Sequence, residues 1–285
     1  MITVFTPTYN RGHLLIKLFD SLKKQTCKKF EWIVADDGSK DNTEEIVNEF
    51  ILTNPEFRII YFKQENSGKH IAINKGVEFA NGDLFFIVDS DDFLSEDAIQ
   101  IIYENWNSIE NKIEFDGIVF NKANLSNQAI GNPKYKIIDA TPLEFRYKFK
   151  EKGDKAEVIK TELFKKHPFP VNGEKFCPEA MFFNKLEKLR YINKNIYYCE
   201  YLPGGLSDNS YKIRKNSPVN SCTFYYELSQ QPILNSLQRL KAAINFYRFK
   251  RFTAAPFPIP YKDNFMNLVS KKLADIMFKL KDSKK

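Results

Sequence analysis

Three carboxylates crowd into four residues at Asp89-Ser90-Asp91-Asp92, directly after the apolar run Leu84-Phe85-Phe86-Ile87-Val88. Such a cluster repels itself and resists desolvation, so its place beside a buried strand calls for a compensating charge. A hard divalent cation, Mg²⁺ or Mn²⁺, is one: carboxylate oxygens at a strand end hold it, and it holds a phosphate in turn. An acidic turn leading into the next helix, at Ser95-Glu96-Asp97, is the other reading. Two further polar clusters follow apolar runs, Thr6-Pro7-Thr8-Tyr9-Asn10 and Asp36-Asp37-Gly38-Ser39. A carboxylate in the second of these can form an Asx-type turn. Strand alternation points Asp36 and Asp37 to opposite faces.

Elements that would position these clusters are readable from periodicity. Residues 2–6, 31–35, 58–63, 84–88 and 115–120 read as strands. Helical spacing appears in Leu14, Leu15, Leu18, Phe19 and Leu22, in Ile46, Val47, Phe50 and Ile51, and over residues 71–80 and 95–106. This alternation predicts an α/β fold with a mostly parallel sheet covered on both faces. In such sheets ligands bind at the carboxyl ends of the strands, where all three polar clusters fall. Downstream, Thr141-Pro142-Leu143 opens a short helix, residues 156–159 read as a strand and residues 161–166 as a helix. A helix is expected over residues 178–189, with Met181, Phe182, Leu186 and Leu189 on one face. Further helices are expected near 219–230, 234–252 and 264–281.

The 285 residues, 43% hydrophobic and 28% charged, suffice for one large core with an annex. No apolar run approaches the roughly 18 residues of a membrane span. The chain opens on Ile2-Thr3-Val4-Phe5 with no basic-then-apolar leader, so a cytoplasmic location is expected, on the inner face of the membrane if the tail binds lipid. Cys27, Cys177, Cys199 and Cys222 form no CxxC pair, and with three histidines they make a zinc site improbable. Net charge is +7, but residues 241–285 alone carry +8. The basic surplus belongs to the tail.

Five segments in register resemble glycosyltransferase family 2 with its GT-A (Rossmann-like) nucleotide-binding sheet: Thr6-Pro7-Thr8-Tyr9-Asn10-Arg11, Asp36-Asp37-Gly38-Ser39, Gly68-Lys69-His70 with Asn74-Lys75-Gly76, Ala80-Asn81-Gly82-Asp83, and Val88 with the acidic tetrapeptide. The likeness is specific over about residues 1–120 and looser to about 210. It implies an inverting hexosyl- or N-acetylhexosaminyl-transferase, moving a sugar from a nucleotide diphosphate sugar, UDP-sugar favoured, to an acceptor hydroxyl. It also implies a catalytic domain over 1–215, divided into nucleotide-sugar (1–120) and acceptor (121–215) halves. A basic helical extension follows over 216–285.

The same resemblance assigns nucleotide-sugar binding to Thr6, Pro7, Tyr9, Arg11, Asp37, Lys69, Asn74, Asp89 and Ser90. Mn²⁺ or Mg²⁺ falls to Asp91 with Asp89 and Asp92. Lys69 opens a helix where its ammonium and the helix N-terminus both suit phosphate, while His70 and Asn74 also read as cap or surface residues. In the family the base is a carboxylate opening a helix, usually in a Glu-Asp pair. Here Glu179 in Cys177-Pro178-Glu179-Ala180 takes that place, with Pro178 replacing its partner. A carboxylate that merely stabilises the helix start is the competing reading, and Asp154 is the nearest competing carboxylate. The segment Gly204-Gly205-Leu206-Ser207 with Lys212, Arg214 and Lys215 reads as a closing loop or as ordinary surface.

The tail combines positive charge with Phe246, Tyr247, Phe249, Phe252, Phe257, Phe265, Met266, Leu268, Val269, Ile276, Met277, Phe278 and Leu280, a pattern open to an anionic membrane, a second subunit or the catalytic domain. It shows no nucleic-acid motif. The acceptor suited to such an enzyme is a glycan or lipid-linked glycan of the bacterial surface, as in capsule synthesis. Two alternatives remain at this point: a nucleotidyltransferase, though the glycine-rich, arginine-containing loop is missing from Thr6–Arg11, and a non-catalytic sugar-nucleotide scaffold.

Overall fold

The computed structural model describes residues 1–54, 56–200 and 209–282. The chain divides into two compact units: Met1–Phe169 with Phe182–Glu200, and Pro170–Met181 with Tyr201–Lys285. The first unit contains β1 (Ile2–Thr8), α1 (Gly12–Lys23), β2 (Phe30–Asp36), α2 (Thr43–Thr53), β3 (Arg58–Lys63), α3 (Lys69–Phe79), β4 (Leu84–Ile87), β5 (Phe93–Leu94), α4 (Ala98–Asn107), β6 (Gly117–Ala123), β7 (Ile137–Ala140), α5 (Pro142–Tyr147), β8 (Lys155–Lys160) and α6 (Thr161–Lys166). A one-turn helix, α7 (Ala180–Phe183), precedes the long strand β9 (Leu189–Tyr198). The second unit holds α8 (Ser210–Asn216), α9 (Pro218–Ser229), α10 (Ser236–Lys250) and α11 (Asn264–Met277).

The sheet runs β3-β2-β1-β4-β8-β6-β9-β5, with β7 also on β9. Its first four strands are parallel, as the alternation predicts. The rest is mixed: β8 is antiparallel to both β4 and β6, and β9 is parallel to β6. Parallel strands covered on both faces are apolar throughout, and every residue of β2 is buried. The charged exceptions in β2 are Asp36, at its carboxyl end, and Glu31, which accepts hydrogen bonds from Thr3 Oγ1 at 2.8 Å, Asn81 N at 2.6 Å and Asn81 Nδ2 at 2.9 Å. That network fixes the turn into β4, the strand that delivers the acidic tetrapeptide.

Two glycines set the height of α3 over the sheet. Gly68 enters the helix at φ +96°, a conformation that disfavours any side chain. A Cβ on Gly76 would lie 2.1 Å from the Phe5 ring, so α3 rests directly on β1. Beneath it, Phe5 stacks on Phe85 with centroids 5.1 Å apart, and Phe85 meets Phe164 of α6 at 5.0 Å. On the other face, Trp32, Phe19 and Phe50 pack together under α1 and α2.

The helix expected over 178–189 is not formed at that length. Only Ala180–Phe183 is helical, and Leu189 starts β9, pairing with Gly117 and Ala140. Met181, Phe182, Leu186 and Leu189 are all buried, as their spacing required, but through different elements.

Candidate active site

Because β1, β2 and β4 are adjacent and parallel, their carboxyl ends share one rim. Loops on this rim are stitched together by short polar contacts. Asn10 N donates to Ser39 Oγ and Lys40 N to Asn10 Oδ1, both at 2.8 Å, while Gly12 N donates to Asp41 Oδ2 at 3.2 Å. Asp36 and Asp37 diverge. Asp36 is fully buried and serves the scaffold, accepting from Ser39 N at 2.7 Å and Tyr61 OH at 2.8 Å. Asp37 fastens the entry to α3: Oδ1 accepts from Gln64 Nε2 and Ser67 N, and Oδ2 from Gly68 N, each at 2.8 Å. A carboxylate oxygen accepts about two hydrogen bonds, so Oδ2 retains capacity for one further donor.

The three carboxylates of the tetrapeptide occupy three different environments. Asp89 lies between two ammonium groups, Lys69 Nζ at 2.6 Å and Lys122 Nζ at 3.6 Å. Burial opposes its ionisation, but these two lysines outweigh burial and hold the carboxyl well below the usual range. Asp92 is buried and accepts from Tyr197 OH at 2.6 Å, while that same hydroxyl accepts Asp89 N–H at 3.0 Å. Burial first, and the Asp89 charge second, push Asp92 up to about 7. Asp91 is half-buried, as Asp89 is, with its Oδ2 3.1 Å from Arg11 Nη1. Arg11, Lys69 and Lys122 thus gather around one acidic turn, a cationic frame suited to a polyanion.

Among the described residues no three His, Cys, Asp or Glu side chains are arranged as a metal cage. The donor chemistry nevertheless fits a hard divalent cation of the Mg²⁺ type, which takes one or two carboxylates and fills its remaining positions from phosphate and water. Asp89 is engaged by two lysines, Asp92 by Tyr197 and Asp91 by Arg11, the most exposed of these cations and the one most readily exchanged for a metal ion.

Two of the suggested binding residues have partners within the protein. Thr6 is fully buried, its hydroxyl accepting from Trp32 Nε1 at 2.9 Å, so its side chain faces the core and not the rim. Asn74 is spent on the main chain of Phe169, donating to its O and accepting from its N at 2.9 Å each. Ser90 is buried, Pro7 half-buried and Tyr9 exposed. Glu179 belongs to the second unit, half-buried in the turn just before α7. Asp154 is exposed ahead of β8. Of the suggested closing loop, residues 204–207 lie outside the described residues. Lys212, Arg214 and Lys215 lie on α8, where Arg214 stacks against Phe176 at 5.3 Å.

Lys122 and Tyr197 are the site residues that sequence reasoning missed. The signal for Lys122 was a lysine inside the β6 run Gly117-Ile118-Val119-Phe120-Asn121-Lys122, a position that demands a buried carboxylate opposite.

His70, in the first turn of α3, is 2% exposed, and neither ring nitrogen has a hydrogen-bond partner among the described residues. Burial pushes its pKa down, with the nearby Asp37 acting the other way. An unfolded histidine titrates near 6.5, so below about pH 6.5 the unfolded chain takes up a proton that the folded one refuses. Stability is lost over that window, down to the folded pKa. Melting curves of His70→Phe are therefore expected to fall less than wild type between about pH 7 and pH 5. Parallel losses in the two proteins would contradict the buried neutral imidazole.

The family comparison falls on these same elements. The model for glycosyl transferase family 2 matches residues 3–163, from β1 through the start of α6. The chain belongs to glycosyl transferase family 2. A Campylobacter jejuni relative, GalNAc(5)-diNAcBac-PP-undecaprenol beta-1,3-glucosyltransferase, is 29% identical over 221 residues, covering 74% of this chain and 70% of that protein. S. aureus TarS 1-349 in complex with UDP-GlcNAc superposes with a TM-score of 0.64 at 17% identity, covering 98% of this chain and 91% of that one. Mannosyltransferase PcManGT from Pyrobaculum calidifontis, in complex with GDP-Man and Mn²⁺, gives a TM-score of 0.55 at 17% identity, covering 99% and 87%. The fold of this family 2 glycosyltransferase is GT-A.

Proposed function

We propose that this glycosyltransferase is inverting and divalent-metal-dependent, moving a sugar from a UDP-sugar to a hydroxyl of a glycan or lipid-linked acceptor in bacterial surface-polysaccharide synthesis. The observation that carries the reading is the rim itself. Asp37, with one acceptor position left, lies on the same sheet edge as an acidic turn framed by Arg11, Lys69 and Lys122. Asp37 takes the uracil imide N–H, and the cationic frame meets the diphosphate. Asp91 holds the divalent cation, which when bound supplies charge neutralisation for the departing diphosphate. Lys69 and Lys122 hold Asp89 ionised beside the donor, as PKa-lowering partners that also limit repulsion between carboxylate and phosphate.

On the acceptor side Glu179 is the base. It removes the hydroxyl proton as the acceptor oxygen bonds to the anomeric carbon, while the bond from that carbon to the diphosphate oxygen breaks on the opposite face. The electron pair leaves with UDP, and configuration inverts. The lipid-linked acceptor draws support from the Campylobacter relative, whose name specifies an undecaprenol-linked glycan. UDP release from a panel of UDP-sugars, with Mn²⁺, Mg²⁺ or chelator, tests the reading. Slow metal-dependent hydrolysis of one donor without acceptor is expected; a nucleotide-binding scaffold would release no UDP under any condition.

A further inference from the structure

Helix α11 is built inside out. The residues it buries against its own unit are Asn267, Ser270 and Ala274, whereas Phe265 (67% exposed), Leu268 (51%) and Ile276 (51%) face solvent. Phe265, Val269, Leu273 and Ile276 recur at spacings of four, four and three, which makes one continuous apolar stripe. Helices in a water-soluble protein ordinarily turn that stripe inward.

Its orientation is fixed by hydrogen bonds. Asn267 Oδ1 accepts from Tyr247 OH and Tyr261 N, both at 3.1 Å, and Asn267 Nδ2 donates to Tyr261 O at 2.5 Å and Asp263 O at 3.0 Å. Rotating the stripe inward would strand these buried polar groups, so the stripe must find its cover outside the unit.

Charge chooses the cover. Lys272 lies within this apolar face, between Leu268 and Phe265, and Lys271 is exposed further round the helix. The acidic residues of this helix are engaged, Asp275 by Arg251 at 2.9 Å and Asp263 by the N–H of Phe265 at 2.8 Å. Residues 241–285 carry +8. A second copy packed on this face would bring the same lysines against themselves. An anionic bilayer accepts both features: the apolar side chains enter the acyl boundary, and each lysine near the surface adds about 1 kcal/mol. We propose that the outward face of α11 docks the protein on an anionic phospholipid membrane surface.

The test is co-sedimentation of the full chain with vesicles of phosphatidylglycerol and phosphatidylcholine in equal parts, and with phosphatidylcholine alone. Binding is expected to the anionic vesicles, to weaken on added salt, and to be much lower on neutral ones. Phe265→Glu/Ile276→Glu alters only exposed side chains and is expected to lower the bound fraction about tenfold or more, with unchanged melting temperature. Lys271→Glu/Lys272→Glu should lower it while leaving the apolar stripe in place. Wild-type protein that ignores anionic vesicles, or an apolar double variant that still binds them, overturns the proposal. So does a stable wild-type dimer that the same variant dissolves, which would assign the stripe to a second copy. The readout needs no sugar transfer, so it stands or falls separately from the proposed reaction.

Discussion

Asp91→Asn is expected to lower kcat/KM for sugar transfer by about 10²–10³, with the fold intact. The folded state has little to lose: Asp91 is partly exposed, and its pairing with Arg11 at 3.1 Å is a half-exposed ion pair of the kind worth about 0–1 kcal/mol. Asparagine keeps the shape and a carbonyl-type oxygen, so turn geometry survives. What it removes is the negative charge that the proposed cation would use at this rim. Loss should appear in donor affinity as well as in turnover, and raised Mn²⁺ should recover part of it. The equivalent change at Asp92 acts differently, because Asp92 is buried against Tyr197 and its loss disturbs the hydroxyl that also holds Asp89 N–H. Steady-state kinetics over a metal titration separates the two. An Asp91→Asn enzyme within a few-fold of wild type at every metal concentration would remove Asp91 from the donor site.

Glu179→Gln carries the second large effect, a fall in kcat of about 10²–10⁴ with donor affinity nearly unchanged. Glutamine fills the same volume in the turn before α7 and can still hydrogen-bond, but it cannot take a proton from the acceptor hydroxyl. The contrast with Asp91→Asn is diagnostic: one variant loses turnover alone, the other loses donor binding too. Activity retained in Glu179→Gln, with an unaltered melting curve, would move the base elsewhere, and Asp154→Asn is then the variant to measure.

The nucleotide half of the fold was legible because its order is local. Strand β3 begins and ends where the residue pattern puts it, as does helix α6 beyond that half, and β1, β2 and β4 differ by two residues or fewer. The runs Trp32-Ile33-Val34-Ala35 of β2 and Leu84-Phe85-Phe86-Ile87 of β4 are continuously apolar, as buried parallel strands require. Legibility failed where long-range pairing decides. Leu189 has the spacing of a helix face, yet it pairs with Gly117 and Ala140, partners about 50 to 70 residues away that no local pattern reveals. Strands β5, β7 and β9 were missed for the same reason.

At the site, residue types told the chemistry better than the contacts. Asp37, Lys69, Asp89 and Arg11 do lie on the rim elements, and the acidic turn has its compensating charge. That charge, in the protein itself, comes from Lys69 and Lys122, and Lys122 arrives on a strand 30 residues further along. Thr6 and Asn74 matched a pattern but were claimed by Trp32 and the Phe169 main chain. A motif cannot report which of its polar atoms the core has already used.

On the proposed reading, a UDP-sugar and a divalent cation bind together at the rim formed by Asp37 and Asp91. Thermal shift with a panel of nucleotide sugars, each with and without Mn²⁺, measures it directly, since a ligand bound only by the folded state raises the melting temperature. A rise is expected for a UDP-sugar that is larger with Mn²⁺ than the two separate effects combined, and it should disappear in Asp91→Asn. A UDP-sugar shift that is the same with chelator and in Asp91→Asn, or no shift for any nucleotide sugar, would contradict it.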